Sequence, residues 1–273
     1  MKNKIELKNL FINLNDKDVL DDFSLDILDG ETFVLIGQSG VGKSVLLKHI
    51  IGLMEPDSGE VYIDGELLDY YDETKLDKIR RKFGMLFQGG ALFDSLTVGE
   101  NILFALDHQR DELEDEVKFQ MVSNALNLVE LPGTENLTIS SLSGGMMKRV
   151  ALARAIVSEP DIVLFDEPTT GLDPITTASI NELISSIKKK LNTTFVVVTH
   201  DLVSARYISD RIGMIYKGKM IFIGTKEELD KTDNPYVKQF IKGDFLGPIT
   251  DDYNMNLQKQ MQNDINKIQH GGF

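Results

Sequence analysis

The sequence predicts an α/β protein: a mostly parallel sheet core, an antiparallel β layer near the N-terminus, and an α-helical subdomain inserted into the core. Three observations predict it. The runs "TFVLIG", "RKFGMLFQ", "DIVLFDEP" and "TTFVVVTH" are short, β-rich and apolar throughout, as strands buried on both faces of a parallel sheet must be. "VLDDFSLDI" and "EVYIDGELL" instead alternate apolar and polar residues, the pattern of strands with one wet face. Between Gln88 and Asp161 the apolar period becomes helical.

Taken in order, residues 5–36 read as short strands separated by turns, one of them around Gly30. Asp64–Gly65 is a hairpin signal. Thr97–Glu100 ("TVGE") forms a capping box that opens a helix through Ile102, Leu103 and Leu106. A second helix carries Val117, Met121, Val122, Ala125, Leu128 and Val129, and Leu131–Gly133 stops it. A third starts at Ser143 and runs through "MMKRVALARAIVSE". The inserted helical subdomain therefore spans about residues 96–158. Ile180, Leu183, Ile184, Ile187 and Leu191 mark another helix. It ends in Lys188–Lys190, where cations suit the negative end of the helix dipole. "RIGMIYKGKMIFIG" reads as a hairpin turning at Lys217–Gly218. The division predicted is a main domain over 1–243 and a tail over 244–273. The tail's sparse apolar residues, Leu257, Met261, Ile265 and Ile268, keep helical spacing, which reads as a weak amphipathic helix that docks a partner or as a mobile tail.

Composition narrows the function classes. Among 273 residues, 29 basic and 43 acidic side chains give a net charge of −14. A nucleic-acid backbone needs a basic face, so that partner is excluded. There is no cysteine, hence no disulfide or thiolate metal site. No run approaches the ~20 apolar residues that cross a bilayer, and "MKNKIELKNL" lacks a signal-peptide core. Any work at a membrane needs another chain to cross it.

Each of the four apolar runs ends in chemically able residues, and ligands of open α/β sheets bind beyond the carboxyl ends of the strands. The first run leads into "GQSGVGKS", which matches G-x-x-x-x-G-K-S with Gly37, Gly42, Lys43 and Ser44. Such a turn predicts a P-loop NTPase (RecA-like) core. Gly37, Gln38, Ser39, Gly40, Val41, Gly42, Lys43, Ser44 and Val45 would wrap N–H groups and a helix N-terminus around phosphates. Lys43 would neutralise β- and γ-phosphate charge, and Ser44 would offer a hydroxyl to Mg²⁺. Asp166, closing the third run, is the expected Mg²⁺-shell carboxylate. Glu167 follows it, placed to orient a water or accept its proton. Gln88 would touch Mg²⁺ or the water, and His200 the γ-phosphate or the water. Finally "LSGGM" (Leu142–Met146) opens a helix with Ser143, Gly144 and Gly145, a second anion site. One nucleotide needs one cradle, so this second tip, if it faces outward, is expected to cover the γ-phosphate held by another copy; otherwise it is a glycine-rich N-cap of a packing helix.

In this order, Gly37–Ser44, Gln88, "LSGGM", "IVLFDEP", "TGLD" and "VVVTH" resemble an ABC-type ATPase subunit over residues ~5–240. The resemblance implies ATP and Mg²⁺ as ligands and an ATP-sandwich homodimer completed by Ser143–Gly145. It also implies Asp173 at the dimer seam and hydrolysis at both sites. An aromatic that stacks on adenine in many members is replaced here by Leu14, with Phe11 the nearest ring, so weak base discrimination is expected. "MLFQGGALFDSLTVGENILFAL", the variant "LSGGM" and "PYVKQFIKGDFLGPI" resemble the ATPases of Mla/Mce-type phospholipid transporters. That likeness implies two copies of an integral-membrane permease, an Mce-type lipid-binding protein, and a small regulatory subunit docked by the tail. It places the chain peripherally on the cytoplasmic face of the inner (plasma) membrane, with Leu92 and Phe93 as permease-docking residues. Transporter ATPases for amino acids, metals or drugs would share the catalytic residues and differ at that docking surface. A nucleotide sensor without turnover would not need Glu167.

Overall fold

The computed structural model describes residues 2–255. β1 (Asn3–Leu14) and β2 (Lys17–Leu28) form the first hairpin, and β3 (Thr32–Ile36) runs into the glycine-rich turn before α1 (Lys43–Ile50). A second hairpin, β4 (Ser58–Ile63) and β5 (Glu66–Leu67), precedes α2 (Glu73–Arg80) and β6 (Phe83–Leu86). Three helices follow: α3 (Val98–Gln109), α4 (Asp115–Leu128) and α5 (Gly144–Ile156). The chain returns through β7 (Ile162–Asp166), α6 (Pro174–Lys190), β8 (Thr194–Thr199) and α7 (Leu202–Ile208). It continues with the hairpin β9 (Arg211–Tyr216) and β10 (Lys219–Gly224), then α8 (Lys226–Lys231) and α9 (Pro235–Lys242).

Two sheets result. The antiparallel one has the order β2-β1-β4-β5, and the six-stranded one β10-β9-β3-β8-β7-β6. β3, β6, β7, β8 and β9 are mutually parallel where they pair, so the carboxyl ends of β3, β8, β7 and β6 line up along one edge. The hairpin at Lys217–Gly218 is as predicted, but its first strand also extends the parallel sheet by pairing with β3. Asp64–Gly65 and Lys217–Gly218 both have positive φ at each residue, the backbone that lets a two-residue turn follow the right-handed strand twist.

The alternating residues of the antiparallel layer supply a large part of the main core. Phe23, Leu25 and Ile27 of β2 and Ile5, Leu7 and Leu10 of β1 pack with Leu46, Leu47 and Ile50 of α1 and with one face of β3, β7 and β8. Each such side chain contributes roughly 1.5–3 kcal/mol by leaving water. The effect fixes α1, and therefore the turn that precedes it, against the sheet.

The helical segment begins with the predicted capping box. Thr97 Oγ1 accepts from the Glu100 N–H at 3.2 Å, and Glu100 Oε2 accepts from the Thr97 N–H at 2.7 Å. α4 corrects the predicted stripe. Its core positions are Val122, Ala125, Leu126 and Val129, while Val117 is exposed and Met121 and Leu128 are half-buried. One turn before Val122 the inward position belongs to Lys118, whose stem is buried and whose ammonium meets Asp107 at 2.7 Å. A lysine on the buried face hid the true register. At the end of α6, Lys188 donates to Gly30 O at 2.6 Å and to Thr193 O, so it holds carbonyls as well as facing the helix dipole.

From Glu227 onward the described chain forms a separate compact unit. In it Asn234 caps α9, accepting from Tyr236 N–H at 3.0 Å, and Gly243 ends the helix with φ 69°. Gln239 ties the next turn together, donating to Asp244 O at 3.1 Å and accepting from Ile249 N–H at 2.8 Å. The apolar positions Leu257, Met261, Ile265 and Ile268 lie outside the described residues.

α5 lies directly on β6. A Cβ on Gly84 would stand 1.8 Å from the Ala155 carbonyl oxygen, a backbone atom with nowhere to go. Gly84→Ala is therefore expected to destabilise the protein by more than about 2 kcal/mol, since overpacking against backbone cannot be relieved by a rotamer change. Urea unfolding of the variant beside the parent measures it; a loss below 0.5 kcal/mol (~0.5 being the usual surface effect) would refute the close approach.

Candidate functional site

The apolar burial of β3 delivers the chain to Gly37 at the sheet edge, and the turn 37–42 then bends back over it. Gly42 has φ 104°, and a Cβ there would come within 2.4 Å of Val19 Cγ1. Only glycine satisfies both the backbone and the contact. Lys43 opens α1 and is buried. Its ammonium donates to the carbonyl oxygens of Gly37 at 2.8 Å and Gln38 at 3.0 Å, and lies 3.6 Å from Glu167 Oε1. Burial pushes the Lys43 pKa down, and the charges of Glu167 and Asp166 oppose that shift.

β7 brings two carboxylates to the same edge. Asp166 accepts from Ser44 Oγ at 2.8 Å. Burial holds its pKa above the usual carboxylate value, with the Ser44 hydrogen bond pulling the other way. Glu167 is buried and has φ 50°, left-handed for a side chain that rarely adopts it. Its N–H donates to Val198 O at 2.9 Å, which locks the turn onto β8. Glu167 Oε2 lies 2.9 Å from His200 Nδ1 and accepts from Thr199 Oγ1 and Thr170 Oγ1, both at 3.2 Å.

These groups share one cleft of about 260 Å³. It is lined by Val19, Ser39, Gly40, Gly42, Lys43, Ser44, Val45, Gln88, Glu167 and His200. Of the predicted residues, Lys43, Ser44, Gln88, Asp166, Glu167 and His200 meet here, Asp166 through its bond to Ser44. Gly37 and Gln38 contribute the carbonyls that hold Lys43, and Val41 packs toward the core. Ser143, Gly144 and Gly145 do not line this cleft. Ser143 caps α5, accepting from Met146 N–H at 3.3 Å, and Ser143 and Gly144 face solvent. A Cβ on Gly145 would lie 2.8 Å from Thr176 Cγ2, so the tip of α5 packs on the start of α6. Asp173 caps α6 there, accepting from Ile175 N–H at 2.9 Å.

Leu14 is half-buried against the core and does not line the cleft, while Phe11 is exposed. Val19 is the apolar residue beside the glycine turn. Sequence reasoning missed Val19, Thr170 and Thr199, which hold or flank Glu167 and the turn. It also missed Lys148, which donates to Gln88 O at 2.5 Å. The adjacency of Thr199 to His200, and the place of Thr170 at the head of "TGLD" three residues after Glu167, could have drawn attention to two of them. Phe93 is exposed and meets Phe104 edge to face with centroids 4.9 Å apart, and Leu92 beside it is half-buried. Asn101 fixes this turn, accepting from Phe93 N–H at 2.8 Å and donating to the Thr97 carbonyl at 2.9 Å. A second cleft, about 570 Å³ between α6 and α7, has Asn181, Glu182, Asp201 and Tyr207 in its walls but no lysine and no glycine turn.

Comparison with known proteins agrees with this arrangement. Residues 20–170 match the ABC transporter family. The chain is 41% identical over 245 residues to the probable ribonucleotide transport ATP-binding protein mkl of Mycobacterium leprae, covering 90% of this chain and 70% of that protein. It is 39% identical over 248 residues to the intermembrane phospholipid transport system ATP-binding protein MlaF of Haemophilus influenzae, covering 91% and 94%. Among solved structures it resembles the ATP-binding cassette MJ0796 in a dimeric post-hydrolysis state bound to ADP and Pi. The TM-score is 0.73 at 34% identity, covering 81% of this chain and 98% of that one. With its glycine turn, paired carboxylates and serine–glycine helix tip in the family's order, the chain belongs to the ABC transporter family and is one of its ATPases.

Proposed function

We propose that the chain is the ATP-hydrolysing subunit of a phospholipid transporter, working as a homodimer on two copies of a membrane-embedded permease. One observation carries the hydrolytic part: Glu167, buried and held by Thr170, Thr199 and His200, faces the Lys43 ammonium across the cleft. A carboxylate so fixed can orient a water and take its proton, while Lys43 and the 37–45 turn hold the phosphates. His200 sits between Glu167 and solvent, where it can share a hydrogen bond with the water or the γ-phosphate.

The residues present fit Mg²⁺. Ser44 Oγ and Asp166 Oδ1 are hard oxygen donors 2.8 Å apart, and Gln88 borders the same cleft. Among the described residues no group of three or more His, Cys, Asp or Glu forms a closed cage. That suits an ion held jointly by one carboxylate, a hydroxyl and substrate phosphates. When bound, Mg²⁺ would neutralise charge on the β- and γ-phosphate oxygens.

The exposed tip Ser143–Gly145, absent from its own chain's cleft, supports a site completed by a second copy. The dimeric state of the MJ0796 cassette supports it too. Asp173 lies beside that tip and would sit at the seam. The domain reading is an ATPase domain over 1–243 with its helical subdomain at about 96–158, followed by a docking tail over 244–273. Among the described residues no helix is long and apolar enough to cross a membrane, so crossing falls to the permease. Leu92 and Phe93 are the proposed contact to it, at the cytoplasmic face. An Mce-type lipid-binding protein and a small regulatory subunit complete the assembly.

The names of the relatives divide on cargo: ribonucleotide for mkl, phospholipid for MlaF. The MlaF relative is matched over 94% of its length and mkl over 70%, which favours the lipid reading. The deciding experiment isolates the tagged chain from native membranes, identifies the co-purifying permease, and follows ATP-dependent movement of labelled phospholipid in reconstituted vesicles. Movement of labelled nucleotides instead of lipid would end the phospholipid proposal.

Two expectations test the site. Glu167→Gln should retain ATP binding, reduce phosphate release by about 100-fold or more, and accumulate an ATP-bound dimer on size exclusion. Phosphate release near the parental rate would remove Glu167 from its role. Because Leu14 serves the core and Val19 offers no hydrogen bond, kcat/KM for ATP and GTP should agree within about tenfold, the discrimination one apolar contact can give. A preference above about a thousandfold, the range of specific hydrogen bonding, would require a polar contact to the base and overturn this expectation.

A further inference from the structure

α5 does more than present Ser143–Gly145. One face of it clamps the backbone of β6 and the turn that follows, at several successive levels. Ala155 O stands against Gly84, Ala151 Cβ lies 3.5 Å from where a Cβ on Gly90 would be, and two cations close the contact. Arg154 donates to Gly90 O at 2.6 Å and to Ala91 O at 2.7 Å. Lys148 donates to Gln88 O at 2.5 Å. The turn they hold is unusual: Gly90 and Ala91 have φ of 78° and 48°, consecutive left-handed residues, the second with a side chain. Such backbone persists only where its surroundings over-determine it.

Lys148 is buried, and Gln88 O is the hydrogen-bond partner of its ammonium. Burial pushes its pKa down, while the charges of Asp166 and Glu167 sustain the ammonium. A buried ammonium is costly to keep. For surface packing alone an apolar side chain would serve better. What the charge provides is a strong, directional grip on one carbonyl, that of Gln88, which lines the cleft.

We propose that Lys148 is a positioning residue for Gln88: its ammonium fixes the Gln88 carbonyl to α5 and so sets how the Gln88 side chain meets the nucleotide cleft. Arg154 anchors the other end of the same turn. The inference rests on the ATPase reading above and adds a residue that never touches the nucleotide.

The test uses the full chain in two ways. In nucleotide-free protein, hydrogen–deuterium exchange of Lys148→Met should rise about tenfold or more at residues 88–91, with the rest of α5 and the melting temperature little changed. A merely structural lysine would instead loosen α5 throughout and lower the melting temperature. In a double-mutant cycle, Lys148→Met should lower kcat about 10- to 100-fold with the affinity for Mg-free ATP retained. In a Gln88→Ala background it should lower it little further. Lys148→Arg, which keeps a charged donor, should recover most of the loss. If Lys148→Met does not fold, Lys148→Gln, with a shorter neutral tip, enters the same cycle. Equal loss with and without Gln88, or unchanged exchange at 88–91, would overturn the assignment while leaving hydrolysis by the parent intact. A parent that hydrolyses no ATP would instead strike the underlying reading.

Discussion

A lysine ammonium taken out of water has to be repaid by negative partners, and the arrangement around Lys43 follows from how that is done. Two of its partners are carbonyl dipoles of its own turn, Gly37 and Gln38. The third, Glu167, stands at 3.6 Å, long for a hydrogen bond and short for a charge. The lysine therefore shapes the glycine turn around itself and stays under-neutralised. A polyanion entering the cleft offers it stronger acceptors than the carbonyls do. The turn is thus preorganised before the ligand arrives, and the free energy of burying the cation becomes part of the binding energy. Glu167 stands beside Asp166, whose own pKa is raised by burial.

Holding Glu167 has its own cost. Its left-handed backbone is worth roughly 1–2 kcal/mol against it, and no glycine could replace it without losing the carboxylate. The offset comes from β8: the Val198 carbonyl takes the Glu167 N–H, and the Thr199 hydroxyl reaches the carboxylate. Thr199 Oγ1 also accepts the Asp201 N–H at 3.0 Å. One hydroxyl therefore bonds to both Glu167 and the turn that carries His200. The order β3-β8-β7-β6 is what permits this, because β8 lies between the phosphate-binding strand and the carboxylate strand.

This explains what could be read from the sequence and what could not. Uniformly apolar runs announced the parallel strands, because a strand covered on both faces has no polar option. "GQSGVGKS" announced its turn, because only glycines can follow that path. Thr97–Glu100 announced a cap, because both halves of a reciprocal hydrogen bond are within four residues. Apart from Thr170, which bonds Glu167 three residues before it, the residues missed share a different trait: their partners are remote in sequence. Lys148 meets Gln88 60 positions away and Thr199 meets Glu167 32 positions away. Val19 meets Gly42 only because two sheets pack. Lys118 misled the reading of α4 for a related reason. Its burial depends on Asp107 of another helix, and no periodicity in α4 alone encodes that.

The separation of the two phosphate-directed elements then sets how the chain can act. In a single chain, Ser143 and Gly144 are exposed and their helix tip packs on the capped start of α6, away from the cleft that holds Lys43. No rotamer change joins them, because the tip is tied to α6 through the Gly145–Thr176 contact and to β6 through Gly84 and Ala155. A phosphate cradle and a second anion-directed tip on one rigid body, facing different surroundings, do not serve one nucleotide in one chain. In the proposed homodimer they would serve two nucleotides in two chains, each cleft taking its missing side from the other copy. Since Lys148 follows Gly144 by one helical turn, the tip proposed to face the partner and the ammonium proposed to position Gln88 ride on the same helix. In that dimer α5 would join the two nucleotide sites directly, one through its tip and the other through Lys148.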